Sequence, residues 1–454
     1  MGIIQKFKQW LSEPVDGHVL GLFRVLFGLF MTYNILSYYQ IGLIEKGLLA
    51  PQVLFKYDGL EWLHPFSEPV MLGILGLTGL AALFIAAGVL FRWACWVFAL
   101  GLSFIFFQEK SYYNNHIYLF ILLAVLLSCT HADRFVSLRS KNTPLWRAGG
   151  LKVPRWQQFI LQMQIVVVYF FGGVAKMKAD WLFRKEPATS MVNFLADGHW
   201  LAPWLKNGLT VNVLTYGGFL LDILAPLLLW HKPFRRWALI PFVLFHLANS
   251  LIFDDIGLFP FVMLAAMILF YETHELPLLR KLAVPLPSVG KNDTSSPAVS
   301  RTPALLRNVL IGYFVFQLLF PLRGYFLPNQ LDYTTIGNRF SWRMKADTRK
   351  IDDMQFFLKH PSSGQELPVN IQTFVNEMHI NTMAHDPRAV AAFARMLRDE
   401  ALRQGLPADV TVKARILIRY NGRQPQLFVS PDVDLASVEY SAFQKLDWVV
   451  PLQE

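Results

Sequence analysis

Residues 71–91, MLGILGLTGLAALFIAAGVLF, continue for about six helical turns without a charged side chain. A run of that length matches the roughly 30 Å hydrocarbon core of a bilayer, where a helix satisfies its own backbone groups. A second run, IYLFILLAVLLSC at 117–129, repeats the pattern. The competing explanation is a large soluble protein with buried core helices, and composition speaks against it. Charged residues make up 16% of the chain, where a soluble domain carries about 25%. The 38 Phe, 13 Trp and 15 Tyr suit lipid-facing helices with aromatic side chains at the interfaces.

Apolar stretches near 19–38, 70–91, 93–108, 115–130, 157–177, 211–230, 237–253, 257–271 and 304–322 predict a mainly α membrane domain over residues 1–322. It is expected to be a bundle of eight or nine spans, several of them short. The net charge of +10 raises the question of nucleic acid, but the basic residues are grouped by loop, as the positive-inside rule requires. Membrane lipid is the expected surrounding and nucleic acid is not an expected partner. With Lys6 and Lys8 inside, the inner loops hold Arg92, then Arg134, Arg139, Lys141, Arg147, Lys152 and Arg155, then Lys232, Arg235 and Arg236. The outer loops are poorer in basic residues, and one contains Asp254 and Asp255. No small-residue cleavage site follows the first apolar stretch, which therefore reads as a retained signal anchor. Cys95 and Cys129 fall in apolar helices and are expected as free thiols.

The Pro/Ser-rich segment 286–303 reads as an inner linker, and a ninth span carries residues 323–454 outside. This extracytoplasmic part is expected to be an α+β, β-rich soluble domain that docks a substrate. DVTVKARILIRY (409–420) alternates at period two, Asn421-Gly422 suits a type I′ turn, and QPQLFVS (424–430) returns, with Pro425 marking an edge strand. MQFFLKHPSSGQELPVNI (354–371) reads as a second strand pair. Residues 386–405 form an amphipathic helix with Asp386 as N-cap, Pro387 in its first turn and Gly405 as its stop. No internal repeat is evident, which disfavours a transporter.

Polar residues inside the apolar spans carry the functional signal, because each costs about 2.5–3.5 kcal/mol to insert if charged. Asn114, Asn115 and His116 open the fourth helix, and Lys176 closes the fifth just after Gly172-Gly173. Asp222 lies in the sixth, and His246 and Asn249 share a face of the seventh. With the orientation above, Asn115, His116, Lys176, His246 and Asn249 all fall in the outer half of the bilayer, which suggests one polar pocket. The glycine pair lets another backbone or a flat ligand approach. Duller roles stay open: Lys176 can snorkel to the interface, the histidines can bond neighbouring helices, and Asp222 can pair with Arg24. No metal is expected, since the histidines lie on separate helices without carboxylate spacing. Burial disfavours an ammonium, and a lysine held neutral can accept a proton. A membrane enzyme or a quinone-type site fits this chemistry.

The segments FRVLFGLFM (23–31), NNHIYLF (114–120), VPRWQQFILQMQIVVVYFFGGVAKMKADW (153–181), GGFLLD (217–222), FHLANSLIF (245–253), NRFSWRM (338–344) and FQKLDWVVPL (443–452) resemble the vitamin K-dependent gamma-glutamyl carboxylase family, which has an HTTM-type membrane domain. The resemblance implies an enzyme that couples oxygenation of a reduced naphthoquinone to carboxylation of protein Glu, giving gamma-carboxyglutamate and quinone epoxide. It implies Lys176 as the base acting on the hydroquinone, with His116 and Asn115 assisting. His246, Asn249, Asn114, Asp222, Gly172, Gly173 and Trp181 fall to the quinone or substrate pocket. The implied cofactor is vitamin K hydroquinone or menaquinol, with O2 and CO2 as co-substrates and a Glu-containing exported polypeptide as partner. The sequon Asn292-Asp293-Thr294 lies in an inner loop and the chain ends soon after FQKLDWVVPLQE, so a bacterial inner membrane with a periplasmic C-terminal domain is expected. The alternatives are a quinol oxygenase without carboxylation, or a non-catalytic quinone- or lipid-binding scaffold.

Overall fold

The computed structural model describes residues 2–138, 152–196, 200, 202–252, 256–276 and 303–453. Asp254 and Asp255, and all but the last residue of the 286–303 linker, lie outside these residues. Among the described residues, a short amphipathic helix, α1 (Ile3–Ser12), precedes a bundle of nine longer ones: α2 (His18–Gln40), α3 (Glu68–Ala87), α4 (Phe91–Phe106), α5 (Asn115–Ser128), α6 (Trp156–Lys176), α7 (Gly208–Trp230), α8 (Lys232–Ile252), α9 (Phe259–Phe270) and α10 (Ala304–Phe326). The helix limits follow local chemistry. In α3, Glu68 and Pro69 occupy the first turn, and Gly88, at φ 72°, closes the last one in a left-handed conformation.

Contacts between helix ends fix alternating directions. Arg24, near the start of α2, is fully buried and donates to Ile85 O and Ala86 O at the end of α3 and to Phe135 O and Val136 O beyond α5. Its cation thus sits at the negative end of the α3 dipole, and its partners are carbonyls rather than Asp222 as the sequence suggested. At the same end, Gln162 near the start of α6 donates to Leu269 O in α9 at 2.7 Å. Strands β1 (Pro14–Asp16) and β2 (Lys152–Pro154) pair antiparallel there. At the opposite end, Gln317 of α10 donates to the Tyr118 hydroxyl of α5 at 3.0 Å.

Among the described residues, five helices are long and apolar enough to cross a membrane: α2, α3, α6, α7 and α10. This is fewer than the eight or nine expected. Helices α4, α5 and α9 are apolar but run only 16, 14 and 12 residues, about 18–24 Å at 1.5 Å per residue, short of the ~30 Å hydrocarbon core. Helix α8 has the length, but Lys232, Arg235 and Arg236 crowd its first turns. The expected stretches at 93–108, 115–130 and 257–271 are themselves short, so counting every apolar stretch as a span exceeds the count of full-length helices. Cys95 is buried, Cys129 half-buried, and both thiols are free.

The C-terminal part is a four-stranded antiparallel sheet in the order β4 (Glu366–Val369), β3 (Arg349–Lys359), β5 (Thr411–Tyr420), β6 (Gln426–Leu427). Val412, Ala414, Ile416, Ile418 and Tyr420 alternate into its core, as period two requires. Asn421 and Gly422 both take positive φ at the β5–β6 turn, and the two-residue β6 after Pro425 is an edge. The longer helices of this part are α11 (Glu377–His385) and α12 (Pro387–Arg403), the latter capped by Asp386 and followed by Gly405 at φ 88°.

The two parts share their packing. Phe55, from the loop between α2 and α3, is buried in the core of the C-terminal part, while Trp342 is buried in the helical core and stacks on Tyr118. Asp386, fully buried, holds the join. Its carboxylate accepts from Arg388 at 3.0 Å and Arg339 at 2.8 Å and lies 3.7 Å from Lys110, which belongs to the loop before α5. Burial alone pushes this carboxyl up, but Arg388, Lys110 and Arg339 outweigh it and hold it well below its ordinary 3.8. A depressed carboxyl stabilises the fold above the unfolded-state value, and that contribution fades as pH falls below about 3.8 toward the folded-state value. Asp386→Asn is therefore expected to lower stability at pH 7 by about 3–5 kcal/mol. Its thermal unfolding should fall less steeply than the parent's between pH 5 and pH 2; parallel slopes would remove Asp386 from this role.

Candidate active site

The ends of α5 to α9 on the side of the C-terminal part enclose a cavity of about 300 Å³, at the lower end of the range for small-molecule sites. Its wall contains Asn114, Asn115, His116, Lys176, Trp181, Asp222, His246 and Asn249. Gly172 and Gly173 do not line it and lie behind it, where α6 meets α7. A Cβ on Gly173 would stand 2.8 Å from the Ile223 backbone nitrogen, and one on Gly172 would stand 3.0 Å from Asp222 Oδ2. Their missing side chains let α7 approach until Asp222 reaches Lys176.

Lys176 is the last residue of α6 and is 6% exposed. Its Nζ donates in a short contact to Asp222 Oδ2, and to Gly172 O at 3.3 Å. The ammonium also lies 5.2 Å from the centre of the Trp181 ring, a cation–π distance. Trp181 is held in turn by its Nε1, which donates to Thr215 O at 2.9 Å. Thr215 belongs to a wide, π-type turn of α7 at Val213–Gly217, the kind of irregularity that frees a carbonyl for an outside donor. Lys176 is thus fixed on three sides and does not snorkel.

On the facing wall, His246 of α8 is buried, and its Nε2 meets the Tyr169 hydroxyl at 2.6 Å. Its Nδ1 has no hydrogen-bond partner among the described residues. Phe259 stacks on His116 with ring centres 5.9 Å apart and also touches His246 at 6.3 Å. Asn115 Oδ1 accepts from the Tyr113 hydroxyl at 2.8 Å, and that oxygen accepts from Phe340 N in the C-terminal part. Arg343, Met344 and Lys345 close the cavity from the same segment. The β5–β6 turn clamps the loop that carries Trp181: Arg423 donates to both oxygens of Asp180 at 2.8 Å, and Asn421 Nδ2 donates at 2.7 Å. Burial raises the Asp180 carboxyl, but its bonds to Arg423 and Asn421 bring it below the ordinary carboxylate range.

The result is a mostly apolar chamber whose wall carries the Lys176–Asp222 ion pair, the Tyr169–His246 pair, a short row of amides and the cations Arg343 and Lys345. The HTTM domain family model matches residues 12–274, and the model for the vitamin K-dependent gamma-carboxylase lumenal domain matches residues 302–454. The chain belongs to the vitamin K-dependent gamma-carboxylase family. It is a carboxylase-type membrane enzyme that depends on vitamin K or a related quinol. No solved structure matches the chain.

Three residues of this carboxylase's cavity escaped sequence reasoning. Tyr169 sits seven positions before Lys176, two turns along the same face of α6, so helical periodicity carried a signal for it. Tyr113 adjoins the Asn114–His116 group. Arg343 falls in the NRFSWRM segment that carries the resemblance, but only the tertiary fold returns residue 343 to the bundle. Breaking the Lys176–Asp222 pair from one side leaves an unmatched buried charge. Asp222→Ala is expected to cost about 3–5 kcal/mol in detergent-solubilised unfolding. The double substitution Lys176→Met/Asp222→Leu should recover most of that loss while remaining inactive. Equal destabilisation by the single and double changes would contradict the pairing.

Proposed function

We propose that the 300 Å³ cavity holds a reduced naphthoquinone, vitamin K hydroquinone or menaquinol, and that Lys176 is the base that acts on it. The observation carrying this reading is that the Lys176–Asp222 pair and the Tyr169–His246 pair face one apolar chamber. The fit is chemical. Trp181, Phe245, Phe259 and Met263 offer flat or yielding apolar surface to a fused ring. The unpartnered His246 Nδ1 and the amides of Asn115 and Asn249 offer the few polar contacts that two ring hydroxyls need.

A quinol held there by these residues would supply, with O2, the strong base that carboxylation of Glu needs. The protein's own groups do the rest. Lys176 Nζ takes a hydroxyl proton once its own proton has passed to Asp222 Oδ2, so the pair stores the second proton without solvent. Tyr169 orients His246 through Nε2 and leaves Nδ1 directed to the ligand. His116 and Asn115 line the same cavity and would assist the oxygenation there. Apolar walls exclude water that would quench a strong base.

The short helices α4, α5 and α9, together with α8, complete a nine-span bundle in this reading, with the C-terminal part outside a bacterial inner membrane and presenting a Glu-containing exported polypeptide. The purified protein, given vitamin K hydroquinone, O2, labelled bicarbonate and Glu-containing peptides, is expected to incorporate label. Lys176→Ala should lower incorporation by at least about 100-fold while the fold survives in unfolding assays. Quinone epoxide formed without label in any peptide would reduce the activity to quinol oxygenation.

A further inference from the structure

The first helix carries a pattern that the cavity does not use. At 100° per residue, Ile3, Ile4, Phe7, Trp10 and Leu11 of α1 fall within an arc of about 120°, and Gln5, Gln9 and Ser12 lie opposite. Lys6 borders the apolar arc on one side and Lys8 on the other. Its 10 residues span about 15 Å, half of a hydrocarbon core, so α1 is too short to cross a bilayer. A helix of this kind lies in the plane of an interface, with its apolar face toward the acyl chains and its lysines reaching to the headgroups.

Packing places α1 at such an interface. Five residues separate Ser12 from His18, and three of them form β1, which is pinned to β2. The end of α1 therefore stays within about 20 Å of the membrane-crossing α2. Phe7 and Trp10 stack with ring centres 5.8 Å apart, and both meet Phe159 of α6 edge-on, at 5.8 and 5.4 Å. Phe159 stacks in turn on Trp230, at the end of α7, at 5.8 Å. The four rings form a row at the bundle end away from the C-terminal part, as aromatic side chains do at headgroup level. This row engages the later turns of α1 and leaves Ile3 88% and Ile4 73% exposed. Charge at the same end favours an anionic surface. Arg155 pairs with Glu13, Lys232 with Glu272 and Arg235 with Glu275. Lys6 and Lys8 are exposed and have no carboxylate partner among the described residues.

We infer that α1 is an interfacial helix that seats on an anionic phospholipid surface, in the leaflet away from the C-terminal part. Ile3, Ile4 and Leu11 dip among the acyl chains, while Lys6 and Lys8 reach the headgroup phosphates on either side. Phe7 and Trp10 tie the seated helix to α6. The seating does not depend on what the cavity binds.

The test places the full-length protein in nanodiscs of phosphatidylcholine, alone or mixed with phosphatidylglycerol. A nitroxide is attached at Ile4→Cys in a Cys95→Ala/Cys129→Ala background. In the anionic discs, its collisions with membrane-soluble O2 are expected to exceed those with a water-soluble nickel chelate. That ratio should fall by about fivefold in phosphatidylcholine alone. Lys6→Gln/Lys8→Gln should remove the difference between the two lipids, and Lys6→Arg/Lys8→Arg should keep it. Should the cysteine-free background fail to fold, acetylation of Lys6 and Lys8 by a water-borne reagent in the native chain makes the same comparison. Read by mass spectrometry, it should be slower in the anionic discs. Three results overturn the inference: nickel collisions that predominate in anionic discs, exclusion of both collision reagents by covering protein, and a ratio or acetylation rate indifferent to lipid charge.

Discussion

An ammonium ion in an apolar bundle needs an anion within reach, and much of this structure follows from meeting that need for Lys176. Its partner, Asp222, sits on the neighbouring α7, so the two helices have to run close. Gly172 and Gly173 permit the approach, because a side chain at either position would strike α7. Once the helices are close, Lys176 comes under Trp181, and the widened turn at Thr215 holds the indole. One matched charge pair therefore sets helix spacing, loop position and cavity wall together.

A second matched charge, Asp386, governs the join between the two parts of the chain. It caps α12, gathers two arginines, and draws Lys110 from the membrane part. The C-terminal part is consequently more than an appendage. Phe340 N bonds Tyr113, Arg343 to Lys345 close the cavity, and Arg423 clamps Asp180 beside Trp181. Each part supplies surface that the other lacks, and the cavity lies along the seam they create.

Local patterns in the chain were readable where one residue's neighbours in sequence are also its neighbours in space. The alternation in β5, the Asn421-Gly422 turn, the Asp386 cap and the Gly405 stop all correspond to elements of the structure, because backbone conformation and cap chemistry act over a few residues. Helix length was less readable. The stretch expected near 115–130 is α5, but at 14 residues it is shorter than a full span, and the number of full-length helices fell to five among the described residues.

Depth along a helix is a single coordinate, and charge bias supplied it: the sequence alone determined that Lys176, His116 and His246 lie at one level. Whether their side chains face a common space depends on helix rotation and approach, which are set by contacts between residues far apart in the chain. That is why Asp222 turned out to partner Lys176 while Arg24 capped carbonyls at the other end of the bundle. Arg343 and Lys110 make the same point. Their roles come from segments more than 200 residues apart meeting across the seam, a proximity that only packing creates.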